Sequence, residues 1–263
     1  MIKRRALFGG LLALALTASV HTARASQPRH VTIAAAADLH YALDAVIGAY
    51  QRTHPQDSIA VTYGSSGTLL AQIEQGAPFE LFFSADSEYP KQLLAAGAAS
   101  GEPVPYALGH IVIWSASVDA GRLTVADLAE PSFDRIAIAN PRHAPYGKRA
   151  EQALRAAGVW EAVQSRLVYG DNIAQTAQFI VSGNARVGII ALSLALDPQM
   201  AAKGSYAVIP ASLYQPLLQN FVVTRRGADN TLAHDFARFM QSGAARAVLS
   251  RYGFSMPNAA TEH

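Results

Sequence analysis

Short apolar runs alternate with longer stretches whose apolar residues recur every three to four positions. Residues 30–37 read as a buried strand, Val31-Thr32-Ile33 running into four alanines and then Asp38. The next stretch places Leu39, Leu43, Val46, Ile47 and Tyr50 on one helical face. A second unit follows, with Ile59-Ala60-Val61-Thr62-Tyr63 as strand, Gly64-Ser65-Ser66-Gly67 as turn, and a helix carrying Leu69, Leu70 and Ile73. Phe79-Glu80-Leu81-Phe82-Phe83 is a third strand, and Ser84-Ala85-Asp86 opens a helix that ends near Gly97. Ile111-Val112-Ile113-Trp114 begins a second series. It predicts strands over 135–139, 167–169 and 187–190, helices over 148–157 and 174–182, and a helix over 191–202 broken near Pro198. Late strands over 206–209 and 221–224 and two closing helices complete the chain.

Alternating strands and helices over this length predict an α/β protein. Two series, with late strands free to return to the first, predict two lobes joined by two crossings. Each lobe would be a mixed, mostly parallel sheet flanked by helices, with a ligand cleft between the lobes. The expected boundaries are 26–108 plus 221–257 for lobe 1 and 109–220 for lobe 2, with 258–263 as a flexible tail.

The first 25 residues change this picture. Lys3, Arg4 and Arg5 precede an apolar run too short for a comfortable membrane span, and Ala23-Arg24-Ala25 is a small-x-small cleavage signal. Residues 1–25 are therefore expected to be a cleavable export signal, and the protein periplasmic. That segment holds four of the 21 basic residues and no acid, so the mature chain keeps 17 Lys+Arg against 19 Asp+Glu, a net charge of −2. Nothing in that balance points to nucleic acid. There is no cysteine, hence no disulfide, thiolate nucleophile or lipidated N-terminal Cys.

The candidate chemistry lies in the strand-to-helix turns. A helix start offers free N–H groups and a positive partial charge, glycine admits a ligand to the backbone, and serine adds neutral donors. Each turn also has a plain structural role: Asp38, Asp86 and Asp171 all fit helix capping or turn chemistry better than a metal or acid–base site. Gly64-Ser65-Ser66-Gly67 lacks the spacing of a nucleophile elbow, and no His-x-x-x-His or P-loop occurs. What remains is a set of small, hydroxyl or amide turns plus Tyr146 on a loop, residues 140–147, stiffened by Pro141 and Pro145. Such a site binds an anion through neutral donors.

Several blocks carry a resemblance: Ala35-Ala36-Ala37-Asp38-Leu39, Gly64-Ser65-Ser66-Gly67-Thr68-Leu69, the run from Gln72-Ile73 through Gly76-Ala77-Pro78 to Ser84-Ala85-Asp86, Asn140-Pro141 with His143-Ala144-Pro145-Tyr146-Gly147, and Arg251-Tyr252-Gly253-Phe254. Together they resemble the periplasmic molybdate-binding proteins of ABC transporters, over nearly all of the mature chain. The resemblance implies the two-lobed periplasmic-binding-protein fold, a monomer without cofactor or catalysis, and a small oxyanion (molybdate, with tungstate) clamped between the lobes and delivered to a membrane ABC permease. It places the ligand donors at Ala37 and Asp38, at Ser65 and Ser66, at Tyr146 through its N–H or its hydroxyl, and at Ile173 beside Asn172. Ala191 stands where some members have a tyrosine, so Tyr146 is expected to supply the phenol.

Asp38 departs from the Ser or Asn of many members, and an ionised carboxylate beside a dianion is unfavourable. Three readings stay open: the carboxylate caps the helix and turns away, it is protonated and donates a hydrogen bond, or the ligand is another small molecule. A secreted serine hydrolase using Ser65 or Ser66 is the rival from a different class, disfavoured because no histidine partner is evident in the sequence.

Overall fold

The computed structural model describes residues 29–257, so the export signal over 1–25 and the tail over 258–263 lie outside the described residues. In chain order the first part runs β1 (His30–Ala36), α1 (His40–Gln51), β2 (Ser58–Gly64), α2 (Ser66–Glu74), β3 (Leu81–Ser84), α3 (Glu88–Ala95) and β4 (Val104–Gly109). The second runs β5 (Ile111–Ser115), β6 (Ile136–Ala139), α4 (Pro145–Ala156), α5 (Trp160–Val163), β7 (Leu167–Gly170), α6 (Ile173–Val181), β8 (Val187–Ala191), α7 (Leu192–Ala195), α8 (Pro198–Ala201) and β9 (Ser205–Val208). The chain then forms β10 (Leu217–Val223), α9 (Thr231–Met240) and α10 (Gly243–Arg251).

These strands make two five-stranded mixed sheets, ordered β2-β1-β3-β10-β4 and β7-β6-β8-β5-β9. In the first, β1 is parallel to β2 and β3, and β10 is antiparallel to β3 and β4. In the second, β6 is parallel to β7 and β8, and β5 is antiparallel to β8 and β9. This is the two-lobed fold that the alternation predicts. Only His110 separates β4 from β5, so the first crossing is short. The second lies earlier than the expected 220/221 boundary, because Leu217, Leu218 and Gln219 already pair with Gly109, Leu108 and Ala107 of the first sheet. That pairing slips between Gln219 and Asn220, whose partners are Ala107 and Pro105, so Tyr106 of β4 is the extra residue of a bulge.

Period-two alternation builds the first lobe on both faces of its sheet. Val31, Ile33, Ala35 and Phe83 pack with Leu43, Phe236 and Leu249 on one face. Ala34 and Phe82 pack with Leu69, Ile73 and Leu93 on the other. The second lobe has its own core around Trp114, Ile138, Leu154, Ile180 and Ile189, and Ala36, Ala37 and Ala85 of the first lobe join it. The alanine run is small enough to carry β1 into the contact between lobes. Parallel strands of both sheets therefore end at one crevice, the usual location of a ligand in open α/β sheets.

Candidate functional site

One small cavity lies in that crevice. Its wall comprises Ala36, Ala37 and Asp38 after β1, Gly64, Ser65 and Ser66 after β2, Ala85 after β3, Ala144, Pro145 and Tyr146 at the start of α4, and Ile173 at the start of α6. The structure thus brings together six of the seven residues expected at the site. Asn172 is not in the wall; its Oδ1 accepts the N–H groups of Ala174 and Gln175 (both 3.0 Å) and caps α6.

Each contributing turn presents backbone N–H groups that its own helix cannot use. Ser65 is the N-cap of α2, its Oγ accepting from Thr68 N, while Gly67 N–H goes to His143 O and Leu69 N–H to Ser65 O. The N–H of Ser66 is left for the cavity. The capping by Asn172 likewise leaves the N–H of Ile173. In α4 the helix starts at Pro145, not at Lys148 as the loop pattern predicted, because proline at the first helical position needs no hydrogen-bond partner. Tyr146 consequently sits in the first helical turn, with its N–H uncommitted by helix geometry.

Ser66 is fully buried, and its Oγ accepts the Ala85 N–H at 3.0 Å. That bond orients the hydroxyl and leaves its proton available. Ser65 is differently placed: its Oγ donates to Thr68 Oγ1 (2.7 Å) and lies 2.9 Å from His143 Nδ1 across the cleft. Folding therefore supplies the histidine neighbour that was not evident in the sequence. The hydroxyl is nonetheless tied up in capping, and among the described residues no carboxylate holds the His143 ring, so the contact joins the lobes rather than forming a triad.

Asp38 does not cap. It lies inside a single 3-10 turn, Ala37–Leu39, with no side-chain capping bond. Its Oδ2 accepts from Tyr146 Oη (2.9 Å) and from Gln219 Nε2 (2.7 Å). The expected phenol donor is thus engaged by Asp38, leaving the Tyr146 N–H as that residue's uncommitted donor. Gln219 Oε1 in turn accepts from Tyr106 Oη at 2.6 Å, and Ser193 Oγ donates to the Asp38 carbonyl at 2.7 Å. Asp38 Oδ1 is buried and has no partner. Burial pushes the Asp38 carboxyl up to about 6, against the lowering effect of Gln219, of Tyr146 and of its own backbone N–H. The Tyr146 and Tyr106 hydroxyls are driven well above the ordinary tyrosine range, first by burial and then by Asp38 beside them. Gln219, Tyr106 and Ser193 were not expected at the site; Gln219 pairs with Ala107 at the register shift, where Tyr106 of β4 is the extra residue.

No Lys or Arg lines the cavity. Arg149 of α4, nearly buried, pairs instead with Asp86 of the other lobe at 3.2 Å and donates to Pro216 O. Among the described residues no cluster of His, Asp or Glu could hold a metal ion. Apart from the Asp38 carboxyl, the wall offers neutral donors and helix starts, which suit an anion rather than a cation.

Residues 31–255 match the bacterial extracellular solute-binding protein family. The chain belongs to that family. Among extracellular solute-binding proteins it is 34% identical over 233 residues to the molybdate-binding protein ModA of Azotobacter vinelandii, covering 88% of this chain and 92% of that one. It is 35% identical over 213 residues to ModA of Rhodobacter capsulatus, covering 79% and 81%. The solved structure of the Azotobacter vinelandii periplasmic molybdate-binding protein matches with a TM-score of 0.80 at 31% identity, covering 87% of this chain and all of that one.

Proposed function

We propose that this protein binds molybdate, and tungstate with it, between its lobes in the periplasm and delivers it to a membrane ABC permease. The observation that carries the reading is the convergence of four helical-turn starts, at Ala37-Asp38, Ser66, Tyr146 and Ile173, on one small cavity without a cation in its wall. Its likeness to molybdate-binding proteins along nearly their whole length supports the choice of anion. Helix N-termini stabilise negative charge, and neutral donors avoid the desolvation cost of a buried Lys or Arg. Rigid turns cannot collapse onto a smaller ion, so cleft width selects against sulfate. Binding energy closes the lobes, and the closed form is what the permease recognises. No chemistry is done on the ligand, and the Ser65–His143 contact serves closure. Among the described residues no helix is long and apolar enough to cross a membrane, in keeping with delivery to a separate permease.

Calorimetric titration with molybdate, tungstate, sulfate and phosphate tests this. Tight one-to-one binding of the first two with sulfate silent is expected. Binding of hydrogenphosphate alone would instead mean that Asp38 reads a donor on the ligand, and silence with all four would overturn the reading.

A further inference from the structure

Asp38 stands in the wall of an anion cavity, 1% exposed, with no cation within reach. Its partners are neutral, Tyr146 from α4 and Gln219 from β10, and both bind the same oxygen, Oδ2. Oδ1 has nothing. An unpartnered oxygen on a buried carboxylate is costly, and a dianion brought beside it makes the ionised form costlier still. The same oxygen, once protonated, becomes a donor in a pocket otherwise built of donors.

We propose that anion binding is coupled to the uptake of one proton by Asp38, so that the protein takes up the oxyanion together with a proton drawn from solvent. This rests on the reading of the cavity as an oxyanion site. The balance is simple: the carboxylate of the ligand-free protein gains H⁺ as the dianion enters, and no other bond is made or broken. Tyr146 and Gln219 hold the carboxyl by Oδ2 and leave Oδ1 as the oxygen to receive the proton. Because Tyr146 belongs to the opposite lobe, the arrangement is complete only when the lobes are closed.

The titratable groups on the elements packed against the Asp38 turn are few. They are Tyr146, Lys148, Arg149, Glu151 and Arg155 on α4, Tyr106 on β4, Tyr63 on β2, and His40, Tyr41, Asp44 and Tyr50 on α1; α6 and α7 carry none. Arg149 is held by Asp86, Lys148 lies over the Tyr89 ring, and the Tyr63 hydroxyl donates to Asp44. Asp38 titrates near 6 before any anion is present, so above that pH it is mostly ionised and has a proton to gain.

The test is calorimetric titration of the purified protein with sodium molybdate in two buffers of different ionisation enthalpy, repeated across about pH 7 to 9. The expected result is a heat difference corresponding to about one proton per ion, and affinity falling about tenfold per pH unit. In Asp38→Asn the buffer dependence and the pH slope both disappear. Molybdate binding with equal heats in both buffers would overturn the proton coupling and leave molybdate binding intact. Coupling that persists in Asp38→Asn would overturn the assignment to Asp38. If that variant does not fold, the slope and buffer heats of the unmodified protein decide the coupling alone. No heat with molybdate or tungstate would overturn the binding reading, and the coupling with it.

Discussion

The backbone N–H of Gly67 donates to the carbonyl of His143 across the cleft at 2.9 Å, and a Cβ at Gly67 would stand 2.7 Å from that oxygen. Gly67 is in the first turn of α2, and His143 is on the other lobe just before α4. The glycine is there to let two backbones meet, since its helix would be better served by alanine. Gly67→Ala should leave lobe 1 as stable as before, or slightly more so. It should hold the lobes apart and weaken anion binding by roughly 1–3 kcal/mol, the scale of a forced misfit in a packed contact. Thermal unfolding and molybdate titration of the same sample separate the two effects; equal affinity in the variant would show that this approach is not needed for closure.

Ser66→Ala removes both a proton offered to the cavity and the acceptor for Ala85 N–H. Leaving a buried N–H unpaired costs about 1–3 kcal/mol. That cost is present with or without ligand and should appear as lost thermal stability, while loss of the hydroxyl donor to the ligand should weaken binding by a similar order. Titration of Ser66→Ala against Ser65→Ala checks the division of labour, because Ser65 caps α2 and should register mainly in stability.

The Arg149–Asp86 pair joins the lobes with both side chains nearly buried. Arg149→Met leaves Asp86 without its cation, a change that costs about 3 kcal/mol in buried pairs. Since the pair spans the cleft, the loss should fall chiefly on the closed form and so on affinity and off-rate. The double variant with Asp86→Asn should recover part of it. A double-mutant cycle on molybdate dissociation measures the coupling; simple additivity would place the two residues on independent roles.

Stability should also depend on pH through Asp38. Burial raises its carboxyl to about 6, above its value in an unfolded chain. The folded protein therefore holds that proton more tightly than the unfolded chain does. The resulting stabilisation is full below about pH 4 and is lost as pH rises through 6. Asp38→Asn removes the penalty of the buried carboxylate. It should raise ligand-free stability by about 3 kcal/mol at pH 8 and give no such gain near pH 4. Thermal melts of both proteins at the two pH values read this directly; a variant less stable at pH 8 would show that the carboxylate is compensated.

The secondary structure was legible wherever one local rule acted alone. The strand-to-helix units at Asp38 and at Ser65-Ser66 follow from apolar period and small turn residues, and Asn172 and Ser65 fall where caps belong. Errors came where two rules competed. Pro141 and Pro145 read as loop and put the start of α4 at Lys148, yet proline is also the favoured first residue of a helix and α4 begins at Pro145. Gln219-Asn220 interrupts the apolar run of β10, so the pattern shows a strand only from Phe221 although β10 begins at Leu217. Gln219 is polar inside a sheet because its amide binds Asp38.

By itself the sequence determined the α/β class, the two series of strands and helices, and the turns whose first N–H groups are free. These depend on residue spacing over a few positions, where sterics and burial act locally. Tertiary structure decided what each polar side chain does. Asp38 is 108 residues from Tyr146 and 181 from Gln219; Ser65 is 78 from His143. Whether a carboxylate caps a helix, faces an ion or gathers neutral partners depends on which groups come within about 3 Å. Spacing along the chain carries no such information. Only closing two sheets on one crevice puts a buried acid, with one oxygen held and one free, into the wall of an anion site.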